Sequence, residues 1–375
     1  MANLLESISD LPSGGLYIYG AGAAAQSFAQ KLKADRPDID VRGFLTSFET
    51  NESATNILEA KEAFDSEDSI LVLNQYAREI IHSLTKNGIG NPVYDGIRQV
   101  FPWPTYNKST DENAAYLKRA EAVAHRLKSE RSRALFRFLA DVRFGEGSAS
   151  IEEQHGAFYA LMDRCYGEGD AYAASHYFEY GDVFNARIAI EGGGNLGLVA
   201  RKLLQTAPDL RLYSFEPMLA AIADRQIVSP AKGYLIEAAN AGRYSEIPEA
   251  LWSEPGVLYF DSSLDDIASA QAQTSGPASN QVPATSIDHF KAEAGLGSID
   301  FIKLDVEGAE PQVLMGAWQT LTQDRPLMAI SIYHGLDQIV SIPEMLFDLL
   351  SDYDFEVGHH ANTPWQETVL YCIPR

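Results

Sequence analysis

Apolar and polar residues follow an alternating pattern over residues 1–110, where short runs rich in β-branched and aromatic side chains are separated by segments with helical spacing. The pattern predicts strands at 16–19, 41–45 and 69–73 and helices at 23–33 and 76–87. Strands that alternate with helices are typical of a parallel sheet. We therefore predict a small Rossmann-like α/β domain over residues 1–110.

The pattern changes after this first segment. Pro102 and Pro104 interrupt it, since each proline removes a backbone donor and biases the preceding residue away from helix. Residues 111–185 then carry Ala, Leu, Arg and Glu at spacings of three and four. This spacing predicts a helical connector that bridges or covers its neighbours.

The alternating pattern returns at residue 186 and predicts a second, larger α/β domain over 186–375, with strands at 187–190, 210–215, 301–304, 327–332 and 367–371. A low-complexity stretch at 269–286 interrupts this domain and is poor in apolar residues. It is predicted to be a mobile surface loop, either a lid or a plain insertion.

Charge narrows the classes of partner. The 375 residues include 29 Lys and Arg against 52 Asp and Glu, a formal net charge of -23. Such a charge repels polyanions, so we predict no nucleic-acid partner. No run approaches the roughly 18 apolar residues of a membrane span, and the first ten residues lack the features of a signal peptide. We predict a soluble, cytoplasmic protein.

The two cysteines, Cys165 and Cys372, lie far apart and have no His or Cys partner at metal-ligand spacing. Neither a disulfide framework nor a zinc site is indicated. Both are predicted to be inert thiols.

Two glycine-rich turns each follow a predicted strand. The first, GAGAAA, places Gly20, Gly22 and Ala25 between a strand and a helix, as a dinucleotide-binding turn does. Thr46 and Ser47 follow the second predicted strand, where an NAD ribose requires an acidic residue. A second nucleotide site and a simple packing turn both remain open.

The second turn, IEGGGNLG, has Glu191 as its last strand residue, followed by Gly193, Asn195 and Gly197; Glu216 ends the next strand. A carboxylate at that strand end can accept both hydroxyls of a ribose. The turn has no lysine dedicated to phosphate, and Glu191 disfavours a pyrophosphate. These residues favour a ligand with a positively charged amino-acid end, such as S-adenosyl-L-methionine.

Four blocks of the chain resemble the FkbM-type family of S-adenosylmethionine-dependent methyltransferases: IEGGGNLG, YSFEP, VPATSIDHF with IDFIKLDVEGAEPQVLMGA, and PWQETVLYCIP. KLDVEGAE is the most specific block, since it matches the signature after the family's fourth strand. The resemblance covers about residues 120–375. It implies a Rossmann-like seven-strand class I methyltransferase sheet. Gly192 and Gly194 replace larger residues of the family and imply an altered or looser loop.

The resemblance also implies S-adenosylmethionine as cofactor and a hydroxyl of a small-molecule or glycan-type acceptor as substrate. Pro217 follows the acidic strand end, and alignment with the family places adenine contacts at Leu251 and Trp252. Such enzymes position an aligned acceptor and remove its proton. The carboxyl ends of parallel strands line the crevice of an open sheet.

We therefore predict Asp305 and His334 as the catalytic residues. Six further residues are predicted to line the site: Lys303, Glu307, Tyr333, Tyr177, His359 and His360. Asp305 and Glu307 have an alternative role as helix caps. The two histidines are alternatively a surface pair, and Tyr177 a core residue. The Asp-x-Glu pair offers two hard oxygen ligands of the kind that Mg²⁺ takes, but two carboxylates without further ligands are weak evidence for a site, so no metal is predicted.

The sequence is compatible with three functions, and methyltransferase activity is the leading hypothesis. An NAD(P)-dependent oxidoreductase that uses the turn at Gly20 is the enzymatic alternative, and a non-catalytic nucleotide-binding or scaffold protein is the third. The N-terminal domain binds a nucleotide, mediates a homodimer or only packs; the sequence does not choose among these.

Overall fold

The computed structural model describes residues 3–5, 7–20, 22–46, 55–74, 77–96, 99, 110–145, 151–166, 176–219, 231–260, 271–276 and 281–375. The chain divides into two compact units, and neither is continuous in sequence. Unit 1 comprises Met1–Thr110, Glu146–Ala174 and His360–Gln366; unit 2 comprises Asp111–Gly145, Ser175–His359 and Glu367–Arg375. Ser47, Pro102 and Pro104 lie outside the described residues.

Unit 1 contains a six-stranded parallel sheet in the order β1-β6-β5-β2-β3-β4. Its strands are β1 (Asn3–Leu4), β2 (Gly14–Tyr19), β3 (Ile39–Thr46), β4 (Thr55–Asn56), β5 (Ser69–Val72) and β6 (Val93–Asp95). Its α-helices are α1 (Ala23–Asp35), α2 (Ile57–Ala60), α3 (Ala77–Lys86) and α6 (Ile151–Tyr166), with short 3-10 helices at Ile8–Asp10 and Lys61–Ala63.

Both faces of this sheet are covered. Leu16 and Leu71 pack into one apolar cluster, while Ile70 and Val72 pack into a second one. Successive side chains of a strand point to opposite faces, and a parallel sheet buried on both faces reads as a continuous apolar run. This is why β5, with the sequence SILV, is buried at every position.

Helix α6 belongs to unit 1, although its sequence lies far from the other helices of that unit. Arg78 of α3 forms an ion pair with Asp163 of α6. Tyr159 of α6 also donates a hydrogen bond to Asp95 at the end of β6. The segment 111–185 is therefore divided between the two units.

Unit 2 contains the seven-stranded sheet that the sequence predicts, in the order β15-β16-β14-β13-β7-β8-β9. The pairs β14–β16 and β15–β16 are antiparallel, and the other described pairs of this sheet are parallel. The strands are β7 (Ile188–Gly192), β8 (Arg211–Phe215), β9 (Tyr244–Ile247), β13 (Phe301–Leu304), β14 (Leu327–Ser331), β15 (Tyr353–His359) and β16 (Thr368–Pro374). The five strands predicted for this domain coincide with β7, β8, β13, β14 and β16.

Helices flank this sheet. They are α4 (Thr110–Arg126), α5 (Glu130–Phe144), α7 (Leu198–Thr206), α8 (Lys232–Asn240), α9 (Ile287–Glu293), α10 (Glu310–Met315), α11 (Trp318–Gln323) and α12 (Gln338–Leu349), together with a 3-10 helix at His176–Phe178. Among the described residues, no helix combines the length and the apolar character that a bilayer crossing requires.

A small second sheet of unit 2 corrects one prediction. Strands β10 (Ala250–Leu251), β11 (Gly256–Tyr259) and β12 (Gln281–Thr285) form it in the order β10-β12-β11. The prediction of a mobile loop over 269–286 is wrong for 281–286, because β12 is hydrogen-bonded to a strand on each side. Ala284 also packs into an apolar cluster with Met218 and Leu258. Residues 269, 270 and 277–280 lie outside the described chain.

Candidate active site

The carboxyl ends of four parallel strands of unit 2 carry the polar residues of the site. β7 lies between β8 and β13, so Glu191 stands opposite Ser214 on one side and Lys303 on the other. β14 follows next to β13 and leads to Tyr333 and His334. The order of the strands, rather than spacing in sequence, brings these side chains together.

The glycine turn after β7 is tightly packed. Gly193 has φ +78°, and a Cβ at this position would overlap the carbonyl oxygen of Asp305. A Cβ at Gly192 would lie 2.9 Å from Val306 Cγ1, and one at Gly194 would overlap Ser214 Oγ. The expected looser loop is therefore wrong: the extra glycines permit close approach of the backbone to β13 and β8.

Glu216 lies directly after β8 and is 8% exposed. Its Oε2 accepts a hydrogen bond from the backbone N–H of Asn195 at 2.8 Å, and its Oε1 accepts one from Met218 N–H at 2.9 Å. Burial raises the pKa of this carboxyl, although both hydrogen bonds act in the opposite direction. Each oxygen keeps a lone pair for a ligand hydroxyl.

A pocket opens next to Glu216; the space between its walls and in its mouth, open solvent included, is about 620 Å³. Its lining consists of Gly193, Asn195, Phe215, Glu216, Pro217, Met218, Ala250, Leu251, Phe260, Ala272, Asp305, Val306, Glu307 and Ala309. Seven predicted site residues are in this set. Trp252 packs instead against the apolar cluster around Met218. Gly197, with φ +71°, begins α7.

Glu191 lies beneath the turn and is 1% exposed. Its Oε2 accepts a hydrogen bond from Ser214 Oγ at 2.5 Å, and its Oε1 lies 3.9 Å from Lys303 Nζ. Burial raises the pKa of Glu191, and the charge of Lys303 opposes that shift. Glu191 therefore supports the turn from inside the sheet rather than lining the pocket.

Lys303 lies between the glycine turn and Asp305. Its Nζ donates to the carbonyl oxygen of Gly193 at 2.6 Å and to that of Gly192 at 3.2 Å. The same atom lies 3.9 Å from Asp305 Oδ2 and 5.1 Å from the ring centroid of Tyr177. Lys303 thus neutralises carboxylates while it fixes the backbone of the turn.

Asp305 follows β13, and a quarter of its side chain is exposed. Tyr333 donates its hydroxyl proton to Asp305 Oδ1 at 3.3 Å. Burial would raise the pKa of Asp305, but the charges of Lys303 and His334 bring it down to about 2. The carboxylate is therefore ionised and a weak base.

His334 is surrounded by carboxylates. Its Nδ1 lies 2.9 Å from Glu310 Oε1, and its Nε2 lies 3.5 Å from both Asp305 Oδ1 and Glu307 Oε2. Burial would lower the pKa of His334, but Glu310, Asp305 and Glu307 together raise it to about 9. With no cation present, His334 therefore carries a positive charge at neutral pH.

The remaining predicted residues lie deeper in the protein. Tyr177 is 2% exposed in the main apolar cluster of unit 2, with its hydroxyl 3.4 Å from Ser331 Oγ. His359 ends β15, where its Nδ1 lies 2.8 Å from Thr368 Oγ1. His360 belongs to unit 1 and packs near Tyr166. Both histidines are buried, so the alternative of a surface pair is wrong.

The first glycine turn lies in unit 1, where the order of the strands reverses between β2 and β5. Gly20 follows β2 with φ +115°, and Gly22 is the N-cap of α1. Ala25 is buried in the apolar cluster beneath that helix. A ligand of this turn stays a prediction.

Glu310 and Ser214 are site residues that the sequence reasoning missed. Glu310 is 0% exposed, and its Oε1 accepts hydrogen bonds from both Val306 N–H and His334 Nδ1. A signal for Glu310 was present, because Asp305, Glu307 and Glu310 follow one strand of the sheet and His334 follows its neighbour. Nothing in the sequence indicated the contact between Ser214 and Glu191.

Comparisons with known proteins agree with this geometry. The profile of the methyltransferase FkbM domain matches residues 189–357. The 2-O-methyltransferase NoeI of Sinorhizobium fredii (strain NBRC 101917 / NGR234) is 32% identical over 186 residues, which cover 44% of this chain and 74% of the relative. The crystal structure of methyltransferase FkbM from Methylobacillus flagellatus KT has a TM-score of 0.51 at 16% identity, covering 96% of this chain and 89% of that chain. At that identity the structural likeness shows the fold alone.

Proposed function

Because this chain belongs to the FkbM methyltransferase family, we propose that it transfers the methyl group of S-adenosylmethionine to a hydroxyl of a small-molecule or carbohydrate acceptor. The relative NoeI is named as a 2-O-methyltransferase, which supports oxygen as the acceptor atom. The site of unit 2 supports the choice of cofactor.

The charge of the pocket carries this proposal. Glu216, Asp305 and Glu307 line the pocket, and its described lining contains no lysine or arginine. Three carboxylates disfavour a phosphate-bearing ligand and favour one with positive groups. S-adenosylmethionine has a sulfonium and an ammonium group, and its ribose offers two hydroxyls.

The residues of the pocket fit such a cofactor. Glu216 is held by two backbone N–H groups and keeps lone pairs for the ribose hydroxyls. The close packing of Gly193 leaves its backbone exposed to the pocket. Leu251 and Phe260 provide apolar surface for the adenine.

The bound cofactor supplies an electrophilic methyl group and leaves as S-adenosylhomocysteine, while the acceptor oxygen forms the new C–O bond and passes its proton to the ionised Asp305 carboxylate. Asp305 lies in the pocket wall and orients that hydroxyl by accepting its hydrogen bond. Tyr333 and Lys303 hold the Asp305 carboxylate in place. A rigidly positioned acceptor contributes a large part of the rate.

Isothermal titration with S-adenosylmethionine and S-adenosylhomocysteine tests the cofactor. We expect one site per chain with either ligand. Glu216→Gln should weaken binding about tenfold or more, since hydrogen bonds to a charged group contribute about 1.5–3 kcal/mol. Glu254→Gln is the matched control, because Glu254 is exposed beside the small sheet of the same unit. Absence of heat with a folded sample would overturn the proposal.

Mass spectrometry of hydroxyl compounds and oligosaccharides incubated with S-adenosylmethionine tests the acceptor class. We expect products heavier by one methylene unit, and a large loss of kcat in Asp305→Asn. Methyl transfer to nitrogen or carbon only would contradict the proposed acceptor atom. Unchanged kcat in Asp305→Asn would remove Asp305 from the mechanism.

A further inference from the structure

The imidazole of His334 has one nitrogen whose environment the methyl transfer does not explain. The side chain is 5% exposed, and its Nε2 is buried without a hydrogen-bond partner among the residues that the structure describes. This atom points to the space between Asp305 Oδ1 and Glu307 Oε2, each 3.5 Å away. A buried polar atom aimed between two carboxylates indicates a ligand there.

Glu310 fixes which nitrogen of His334 is available. Its Oε1 lies 2.9 Å from His334 Nδ1 and also accepts the N–H of Val306 at 2.9 Å. A carboxylate in this position accepts the Nδ1 proton, so a metal ion that displaces the Nε2 proton binds the lone pair of Nε2. Histidines that bind metals show this arrangement, in which the second nitrogen donates to a carboxylate.

The spacing of the atoms fits a metal ion. Ligand atoms at about 2.1 Å from a cation lie roughly 3.0–3.4 Å from one another in octahedral or tetrahedral geometry. Nε2 lies 3.5 Å from both carboxylate oxygens. The ligand atoms that lie within 4.8 Å of one another are those of Asp305, Glu310 and His334. Glu307 is not in that group, so its side chain, which is 28% exposed, has to move toward Asp305 for both carboxylates to share an ion with Nε2.

Local charge favours a cation as well. Asp305, Glu307 and Glu310 converge on His334, and the nearby Lys303 is committed to two carbonyl oxygens of the glycine turn. The second oxygen of the Glu310 carboxylate, Oε2, is buried and has no hydrogen-bond partner in the described part of the chain. A divalent ion would neutralise this excess.

We propose that Asp305, Glu307 and His334 bind a divalent first-row transition-metal ion, and that Glu310 is the positioning residue that orients His334. Two carboxylates suit Mn²⁺, and an imidazole with carboxylates suits Zn²⁺. Mg²⁺ and Ca²⁺ prefer sites made of oxygens alone. Asp305 and Glu307 also line the pocket, so the ion faces the acceptor side of the site. The effect on the acceptor rests on the proposed function: a hydroxyl bound to the ion loses its proton more readily.

Metal binding is tested on the full chain after treatment with a chelator and without S-adenosylmethionine. Mn²⁺ is titrated by electron paramagnetic resonance, and Zn²⁺ by competition with a chromophoric chelator. We expect one tight site per chain for each ion and much weaker binding of Mg²⁺. Absence of a site for both Mn²⁺ and Zn²⁺ in folded protein would overturn the proposal.

Variants locate the site. Glu307→Gln should fold and lose Mn²⁺ binding, since the side chain of Glu307 is 28% exposed. His334→Gln should also lose Mn²⁺ binding. Glu310→Gln should weaken Mn²⁺ binding by about 10–100-fold, as expected when the partner of a metal-ligating histidine is changed. His289→Gln is the control, because His289 forms an exposed pair with Glu293 in the same unit. Unchanged Mn²⁺ affinity in Glu307→Gln and His334→Gln would place the ion elsewhere and refute the site.

The two proposals fail separately. Titration of S-adenosylhomocysteine in the presence of a chelator tests the cofactor without the metal. Mn²⁺ binding without any heat from S-adenosylhomocysteine would support the metal site and overturn the proposed function. Heat from S-adenosylhomocysteine without binding of Mn²⁺ or Zn²⁺ would support the proposed function and overturn the metal site.

Discussion

Gly193 is the residue whose backbone is most tightly constrained in the site. It has φ +78°, and a side chain there would overlap the carbonyl oxygen of Asp305. Gly193→Ala should therefore abolish binding of S-adenosylhomocysteine and destabilise unit 2 by about 1–3 kcal/mol, the usual cost of overpacking. Titration calorimetry and the midpoint of urea unfolding measure the two effects.

Gly233 provides the matched control for Gly193. It lies in α8, where a Cβ would meet nothing within 4 Å. Gly233→Ala should leave ligand binding unchanged and stabilise the protein by about 0.4–1 kcal/mol, because alanine restricts the unfolded chain. Equal effects of the two substitutions would contradict the packing argument.

Lys303 and Glu191 are coupled in the buried sheet. Lys303→Met removes the donor to Gly193 and leaves the Glu191 carboxylate without a neighbouring positive charge. We expect a loss of about 3–5 kcal/mol in the free energy of unfolding, the cost of breaking a buried charge pair.

A double-mutant cycle tests this coupling. Adding Glu191→Gln to Lys303→Met should cost at least about 1 kcal/mol less than the sum of the single changes. Lys202→Met, on the exposed side of α7, should change stability by less than about 0.5 kcal/mol. Strict additivity of Lys303→Met and Glu191→Gln would show that the two groups act independently.

At the scale of single residues, the sequence predicted which residues belong to the site better than it predicted their roles. Asn195, Glu216 and Asp305 were predicted for the site and line one pocket. Glu191 was predicted to face the ligand, but the register of β7 turns its side chain toward Ser214. The burial of His359 could not be predicted from the sequence either, because it depends on pairing with Thr368 in another strand.

At the scale of secondary-structure elements, a cluster of polar side chains joins helix α5 to strand β15. Ser129, the N-cap of α5, and Ser132 both donate to Glu356 Oε2 at 2.6 Å. Ser132 Oγ also accepts the N–H of Val357 at 2.8 Å. Ser132→Ala should lower the free energy of unfolding by about 1–3 kcal/mol, because buried polar groups lose their partner.

Ser351→Ala is the control for this prediction. Ser351 is exposed in the turn before β15, so its substitution should change urea unfolding by less than about 0.5 kcal/mol. If Ser132→Ala were equally mild, the cluster would not be what fastens α5 to the sheet.

The pair between α4 and α5 should make stability depend on pH. Glu121 receives two hydrogen bonds from Arg137 at 2.7 and 2.8 Å. The Arg137 hydrogen bond holds the pKa of Glu121 below its ordinary 4.5. A lowered folded-state pKa contributes stability above the unfolded pKa and loses it as pH falls.

The free energy of unfolding of Glu121→Gln, compared with the unchanged protein, tests this pair. Since Glu121 is 48% exposed, the difference at pH 7 should be below about 1 kcal/mol. It should shrink toward zero as pH falls from 4.5 through the lowered pKa. A difference that grows in acid would contradict the assignment.

Strand β12 shows why one element was missed. Pro283 and the few apolar residues of QVPAT indicated a loop, because proline cannot donate in a sheet. β10 pairs with β12 only at Ala284 and Thr285, so Pro283 lies beyond that ladder and faces β11 alone. The partners lie about 30 residues away in sequence, beyond the reach of local pattern. The buried strands β7 and β13 were predictable because each is mainly apolar and a helix follows each of them in the sequence.

The whole molecule was harder to predict from its sequence than either sheet. Hydrophobic pattern divides a chain into consecutive segments, whereas both units are assembled from separated ones. The helix at Ile151–Tyr166 joins unit 1 through Asp163 and Tyr159. Such contacts depend on side chains that look like ordinary surface residues in the sequence.

The two cysteines offer separate reporters for the two units. Cys165 lies in α6 of unit 1 and is half-buried, while Cys372 lies in β16 of unit 2 and is fully buried. Burial raises the pKa of Cys372, so little reactive thiolate forms there. Iodoacetamide should therefore label native protein at Cys165 alone, as measured by mass spectrometry of the peptides.

S-adenosylhomocysteine should change the labelling of these two thiols unequally. Cys372 becomes reactive only when the sheet formed by β14, β15 and β16 opens, since Met328 and Phe355 pair with it on either side. Ligand at 100 times its Kd stabilises the binding-competent fold by about 2.7 kcal/mol, so labelling of Cys372 in moderate urea should slow by about 100-fold. Cys165, which is already reactive in native protein, should be labelled at the same rate with and without ligand. Rapid labelling of Cys372 in native protein would contradict the burial of β16. Protection of Cys165 alone by the ligand would contradict a ligand site in unit 2.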